Sequence, residues 1–313
     1  MFDFAATPYR LPVPLPQSPL FNAALGQMGV DVCHHALPGG TAMVMLRQTR
    51  LLGRVGLICR GPVWTCGTTE SRVAGLSEMR RALGLRHLIV NPEFEAEQGL
   101  YHDAGFIKLP GRCARVARLS LTGSPADWLH RMQGKWRNRL RHARKQEVTA
   151  ERHDFLPEEG HWLFNEDTSQ QQSRHYRTLA HPIVAQMAQA EPGAAQLFIA
   201  RKNRRAVAAM LFLCHGAMAT YQIGWTTDEG RQLSAHNALM WEAMLALHVR
   251  GVQELDLGMI GSGRADGIDK FKLGTGAVEQ KLGGSWLHSA WLAPLHRTRH
   301  WRHGPAFSLT GVT

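Results

Sequence analysis

The chain has 313 residues, 44% hydrophobic and 19% charged, with a formal net charge of +11 and a pI of about 10.0. That is a globular composition with enough apolar mass for one large domain or two fused halves, and no window approaches the length of a membrane span. The charge points to an anionic partner once its clustering is seen: six of the eleven residues in KWRNRLRHARK, Lys135–Lys145, are Lys or Arg, and a second basic cluster runs through His296, Arg297, Arg299, His300, Arg302 and His303.

From the N-terminus, MFDFAATPYRLPVPLPQSP lacks a basic segment followed by an apolar run, so no signal peptide is expected. Its five prolines, Pro8 to Pro19, predict an extended arm, which with the first strand fills residues 1–38. The cysteines, Cys33, Cys59, Cys66, Cys113 and Cys214, are odd in number, scattered and in no CxxC pair. They read as reduced thiols of a cytoplasmic protein.

A first unit is expected over 39–124. Ala42–Arg47 and Arg54–Cys59 predict a hairpin around Leu51–Gly53, and Gly61–Pro62 breaks the chain. A helical pattern from Thr69 to Leu83 stops at Gly84. Leu85–Val90 then reads as a strand, Glu95–Ala104 as a helix and Phe106–Leu109 as a short strand.

The second unit is expected over 125–290 and opens with the basic helix, 125–147. Ser124, Pro125 and Asp127 supply a cap hydroxyl, a proline at the first helical position and an acid three residues after the cap. Trp128, Leu129, Met132, Trp136, Leu140 and Ala143 then form one apolar seam, predicting a single helix of more than four turns. Arg137, Arg141 and Lys145 share one face, with Lys135, Arg139 and His142 beside it. Guanidinium forks suit phosphate oxygens, and few acids lie near enough to neutralise this run. Beyond it, Ala195–Ala200 and Ala206–Cys214 predict a hairpin around Lys202–Arg205, followed by a strand at Ala219–Trp225. A helix from Ser234 to Val249 stops at Gly251, Val252–Leu257 is a strand, Ile268–Leu273 a short helix and Gly283–Leu287 a return. Residues 291–313 are left as a basic tail.

Both halves therefore repeat one order: hairpin, helix with a glycine stop, strand, short helix, return strand. Antiparallel hairpins feeding a helix and then a parallel neighbour imply mixed α/β sheets. The basic helix falls between the halves and is expected to face their seam, where ligands gather.

In chain order, GLICRGP at Gly56–Pro62, GKWRNRLRHARKQEV at Gly134–Val148, ATYQIGW at Ala219–Trp225, NALMWEAMLALHVRGVQELDLG at Asn237–Gly258 and GIDKFKLGTGAVEQKLGGSW at Gly267–Trp286 resemble the segments of the Fem family of aminoacyltransferases. The resemblance covers about Gly39 to Trp286. It departs from the family pattern at Glu147, where the family has Gly, and at Thr275, where it has an aromatic. The long helical-hairpin insertion that some members use toward tRNA has no counterpart here. The resemblance implies an α/β (α+β) tandem double GNAT-like fold, two mixed-sheet units with flanking helices. It also implies acyl or aminoacyl transfer to an amine, forming an amide.

It implies site residues too. Phe271–Lys272 matches the Phe-Lys pair whose lysine is implicated at the acyl-transfer centre. Arg174, near Tyr176, falls where relatives carry an arginine that meets substrate phosphate. Tyr221 matches the tyrosine strand, and its phenol could hold a substrate carbonyl or phosphate. Asp256, read as ending its strand at the ligand edge of the sheet, could take a proton, orient a base, or cap the loop at Gly258. Acyl transfer to a free amine needs no Ser or Cys nucleophile; it needs positioning and an oxyanion partner.

A donor carrying pyrophosphate, such as acyl-CoA, would meet a glycine-rich turn at a helix N-terminus. The turn here is Arg231–His236. Arg231 fits, but Ser234 and His236 replace glycines, and Ser234 is expected to cap the helix. This favours an aminoacyl-tRNA donor, with acyl-CoA as the alternative and no permanently bound cofactor. The expected partner is an anionic, phosphate-bearing substrate. A third reading is non-enzymatic binding of RNA or an anionic surface through the basic helix and tail; the helix aromatics lie in the apolar seam, which argues for core instead. No metal is expected: His34–His35 and His296, His300, His303 have arginines beside the latter and no Cys or carboxylate to complete a set.

Overall fold

The computed structural model describes residues 11–95, 98–146, 148–158, 161–261 and 266–291. The basic tail cluster at 296–303 and Glu147 lie outside them.

In chain order, α1 (Pro19–Gln27) is followed by strands β1 (Val32–Leu37), β2 (Gly40–Thr49), β3 (Gly53–Cys59) and β4 (Val63–Trp64), then α2 (Thr69–Ala82), β5 (His87–Asn91), α3 (Gln98–Asp103), β6 (Phe106–Lys108) and β7 (Arg115–Ser120). Two helices, α4 (Pro125–Arg131) and α5 (Gly134–Arg144), lead to β8 (Thr149–Asp154), α6 (Trp162–Arg174) and α7 (His181–Ala190). Then come β9 (Ala195–Lys202), β10 (Arg205–His215), β11 (Met218–Thr226), α8 (Asp228–Gln232), α9 (Ala235–Val249), β12 (Glu254–Ile260), α10 (Asp266–Gly274), β13 (Val278–Lys281) and β14 (Trp286–Ser289).

These elements form two compact units, each around a seven-stranded mixed sheet. The smaller holds Cys33–Arg112 and the described residues from Gly283 on. Its sheet runs β1-β2-β3-β5-β14-β6, with β4 on β2, and β3 and β5 are parallel. The larger holds the described residues to Val32 and Cys113–Leu282, with the order β13-β7-β12-β11-β10-β9-β8 and β11 parallel to β12. Chain order alone divides the units at residue 125; the pairing draws the division otherwise. β14, which the sequence reading took as the return of the second unit, pairs antiparallel with β5 and β6 of the smaller sheet. In the larger sheet β7 takes the equivalent place, between β12 and β13. Local periodicity shows that a strand exists; only pairing shows to which sheet it belongs.

The cores follow from the sequence patterns. Trp286, Phe106, Leu88, Ile58, Leu76 and Met79 fill the smaller unit. Trp128, Trp136, Phe198, Phe212, Met240 and Met244 fill the larger. α9 buries Leu239, Met240, Trp241, Ala243, Met244 and Leu247, so it is apolar nearly all round, as a core helix must be.

Three local expectations are corrected. The N-terminal segment is docked from Val13 on rather than extended: Leu15–Gln17 makes a helical turn, and Ser18 caps α1 by accepting from the Phe21 amide at 3.2 Å. The basic helix is two helices. Met132 (ψ 144°) and Gln133 (ψ 144°) are extended, and the Gln133 amide donates to the Gly274 carbonyl at 3.0 Å. The apolar seam continues across the break, so periodicity could not reveal it. The capping box at Ser124 and Asp127 is present, with both reciprocal bonds. Third, Asp256 sits inside β12 and not at its end.

Candidate active site

The larger unit contains a local failure of strand pairing. The parallel strands β11 and β12 pair at Met218–Glu254, Ala219–Leu255 and Thr220–Asp256. Their pairing stops there, although β11 runs on to Thr226 and β12 to Ile260. On its other side β12 shifts register against β7 between Asp256 and Met259. Asp256 holds this bulge. Its carboxylate is fully buried, Oδ1 accepts from the Gly258 amide at 2.7 Å, and Oδ2 lies 3.8 Å from Arg118 Nη1. Gly258 has φ +79°, a conformation that a residue with Cβ adopts at a cost. Of the roles open to Asp256, the structure displays the loop-holding one.

Lys272 reaches this bulge from α10. It is 8% exposed, and Nζ donates to the Met259 carbonyl at 2.9 Å. A Cβ on Gly258 would sit in ordinary contact with Nζ, at 3.6 Å, so it is the positive φ and not crowding that favours glycine there. Burial lowers the ammonium pKa, while the charges of Asp269 and Asp256 oppose that shift. The lysine is thus a desolvated cation on a short, braced helix, not a surface charge. The bracing is local: Thr275 Oγ1 donates to the Lys272 carbonyl at 2.6 Å, and Trp136 Nε1 of α5 donates to the Phe271 carbonyl at 3.1 Å. The Phe271 ring lies 6.0 Å from Trp136 and 5.9 Å from His236.

Tyr221 is the first β11 residue beyond the paired stretch. Its ring packs 5.4 Å from Phe212, and burial raises its phenol pKa, with Tyr176 and Asp167 adding to the rise. A Cβ on Gly224 would fall 1.6 Å from Tyr221 Oη, so the phenol lies across a space that only glycine leaves open. His236, in the first turn of α9, donates from Nε2 to the Trp225 carbonyl at 2.8 Å. Burial pushes its pKa down to about 4; the bond to Trp225 opposes this, and the charges of Arg231 and Arg174 add to it.

The remaining sequence-derived candidates are placed as follows. Arg137 donates to the Leu129 carbonyl at 3.0 Å and the His130 carbonyl at 3.4 Å, covering the end of α4. Arg141 is exposed and bonds Asn138 Oδ1 at 2.6 Å; Lys145 is exposed at the end of α5. Arg174 is exposed at the end of α6. Arg231 is held by Asp228 at 2.5 Å and by the Thr226 carbonyl at 3.2 Å. Ser234 occupies the N-cap position of α9 with φ +55°, but its side chain makes no capping bond, contrary to expectation. So Lys272 and Asp256 converge on the β12 bulge, Phe271 packs toward Trp136 and His236, and Tyr221 follows directly on the Thr220–Asp256 pair. The arginines of α5 are engaged locally or face solvent. His236 and Gly224 were not singled out as site residues from the sequence. The only local signal was the spacing Tyr221-x-x-Gly224.

Residues 130–280 match the family model of the acetyltransferase (GNAT) domain. FemX shares the fold at 14% identity and a TM-score of 0.73, over 91% of this chain and 94% of that one. The C-terminal domain (DUF2156) of a putative lysylphosphatidylglycerol synthetase from Agrobacterium fabrum aligns at 15% identity and TM-score 0.54, over 96% of each chain. A conserved protein of unknown function from Bacteroides thetaiotaomicron aligns at 11% and 0.57, over 86% and 88%. No curated protein matches the sequence. Residues 130–280 thus carry a GNAT-type domain, and the two mixed sheets share a tandem fold with FemX.

Proposed function

We propose that the protein transfers an aminoacyl group from charged tRNA to an amine, forming an amide at the β12 bulge. Lys272 carries this reading: a buried ammonium held against the Met259 carbonyl beside the place where β12 leaves β11. The donor carbonyl enters the split between the strands. Amine attack makes a tetrahedral oxyanion, and the Lys272 ammonium stabilises the negative charge. In a site that excludes water, one such donor contributes on the order of 3 kcal/mol to the transition state. Tyr221 orients the acceptor across Gly224. Asp256 keeps the bulge, and with it the lysine, in register. Arg174, with Arg137, Arg141 and Lys145, supplies the positive field for an anionic, phosphate-bearing substrate.

The turn before α9 supports tRNA over CoA as the donor. Ser234 is in the left-handed region and His236 is bonded to Trp225, so side chains stand where a pyrophosphate would approach backbone amides. The experiment is a transfer assay with alanyl-tRNA or acetyl-CoA as donor and a panel of primary amines, run on wild type and Lys272→Met. The expected result is amide formation from alanyl-tRNA, with kcat reduced about 10²–10³-fold in the variant. Equal rates in both proteins would remove Lys272 from the mechanism. Thermal stabilisation by CoA but not by charged tRNA would reverse the donor assignment.

A further inference from the structure

The second cluster of interest lies on α6, α7 and the segment joining them. Asp167 is 1% exposed and accepts three hydrogen bonds. Oδ2 accepts from Gln171 Nε2 at 2.7 Å and from His181 Nε2 at 2.8 Å, and Oδ1 from Tyr176 Oη at 3.4 Å. Phe164 stacks on the imidazole at 4.3 Å, with 7° between the planes. A carboxylate only accepts, so Nε2 of His181 carries the hydrogen. In the neutral ring the lone pair is then on Nδ1, which has no hydrogen-bond partner among the described residues. His181 lines a cleft of about 580 Å³ together with Thr168, Gln171, Tyr176 and Arg177.

A histidine oriented by a buried carboxylate, with one nitrogen left unpaired at a cleft, is the arrangement of a general base. Tyr176, which lines the cleft, acts electrostatically on Tyr221, and the α6 helix that forms one wall meets β11, where Gln170 Nε2 donates to the Gly224 carbonyl at 3.3 Å. The charge of Asp167 is felt at Tyr221, and that of Arg174 at His236, whose ring neighbours Phe271. Burial and Asp167 push the Tyr176 phenol up to about 12, so it remains a neutral donor through the physiological range. The titratable groups around His181 are thus the Asp167 carboxylate and, lining the same cleft, His175, the neutral Tyr176 phenol and Arg177. α1, which packs on α7, has no titratable side chain, and Arg201 at the end of β9 is paired with Glu151 at 2.9 Å.

We infer that the cleft between α6 and α7 receives the acceptor amine and that His181, oriented by Asp167, is its proton acceptor; this rests on the transferase reading above. A primary amine arrives as R–NH3⁺. His181 Nδ1 takes one proton, leaving R–NH2 and an imidazolium paired with Asp167. The nitrogen lone pair forms the bond to the donor carbonyl carbon, and the carbonyl electrons move to oxygen. As the oxyanion collapses, the bond from carbon to the donor oxygen breaks. The surplus proton on nitrogen goes to that leaving oxygen, and the imidazolium returns its proton to water.

The test has two parts. In the transfer assay, His181→Gln retains a hydrogen-bond donor for Asp167 but cannot accept a proton. Its kcat should fall about 10²–10⁴-fold near neutral pH with KM little changed. The remaining rate should climb about tenfold per pH unit as the free amine appears, and added imidazole should restore part of it. A pH profile and kcat within about threefold of wild type would overturn the inference. The second part needs no turnover: ¹⁵N-histidine spectra of the wild-type protein, titrated separately with alaninamide, lysine and ethanolamine. The expected spectrum has Nε2 protonated and Nδ1 bare, with Nδ1 moving toward imidazolium as amine binds. Should Nδ1 be protonated at the outset, or ignore all three amines, the inference fails even if transfer occurs. A response to amine without transfer from any donor would support the site and refute the transferase reading instead.

Discussion

His236 makes the protein sensitive to acid in a way that can be calculated. Its imidazole is half-buried in the first turn of α9, bonded through Nε2 to the Trp225 carbonyl, and its pKa falls from an ordinary 6.5 to about 4. Because the folded value is the lower one, the unfolded chain binds a proton between about pH 6.5 and 4 that the folded chain refuses. The stabilisation is therefore complete above about pH 6.5 and is lost as pH falls through about 4. At about 1.4 kcal/mol for each tenfold in proton affinity, the full loss is about 3 kcal/mol. Other groups titrate in the same range, so the comparison is with His236→Gln, whose amide can still donate to Trp225. Urea unfolding followed by tryptophan fluorescence at about pH 7.5 and about pH 4 should show wild type losing about 3 kcal/mol more than the variant. With a urea m-value of about 2–3 kcal/mol/M, that is a midpoint difference of about 1 M or more. Parallel pH dependences in the two proteins would show that His236 is not held neutral by burial, and the reasoning would fail.

Gly224→Ala places a methyl group on the Tyr221 hydroxyl and should cost about 1–3 kcal/mol, with transfer activity reduced. Adding Tyr221→Phe should recover part of the stability and none of the activity, measured by thermal melts and the transfer assay. Arg137→Ala frees the carbonyls of Leu129 and His130 and should cost about 1 kcal/mol, whereas Lys145→Ala, at an exposed position, should stay within about 0.5 kcal/mol. Denaturation midpoints check both; an equal effect of the two would contradict the role given to Arg137 at the end of α4.

Much of the architecture was legible in the chain itself. The Ser124–Asp127 capping box, the apolar circumference of α9, and the order of hairpin, helix and parallel strand in each half all arise from interactions between near neighbours. Local spacing reports such interactions directly. Phe271–Lys272 was legible only as a candidate pair, through its resemblance to a family pair. Burial of the lysine and its bond to Met259 were not, because they depend on a bulge that Asp256 and Gly258 form in another strand. The break at Met132 and Gln133 escaped notice for a related reason. The apolar seam runs unbroken through it, and the bond that holds it open comes from Gly274, far along the chain.

The sequence by itself determined the hairpins, the long helices and the parallel strands of each half, the cap at Ser124, the glycine stops of α2 and α9, and the excess of positive charge. Tertiary structure decided which sheet β7 and β14 complete, which arginines are engaged by backbone and which face solvent, and that Asp167 and His181, fourteen residues apart on separate helices, meet at 2.8 Å. The physical reason is one of range. Helical and strand periodicity record how a residue packs against its own element. Sheet order, desolvation of a charge and the meeting of a carboxylate with an imidazole depend on which distant segments share a space, and no local pattern encodes that.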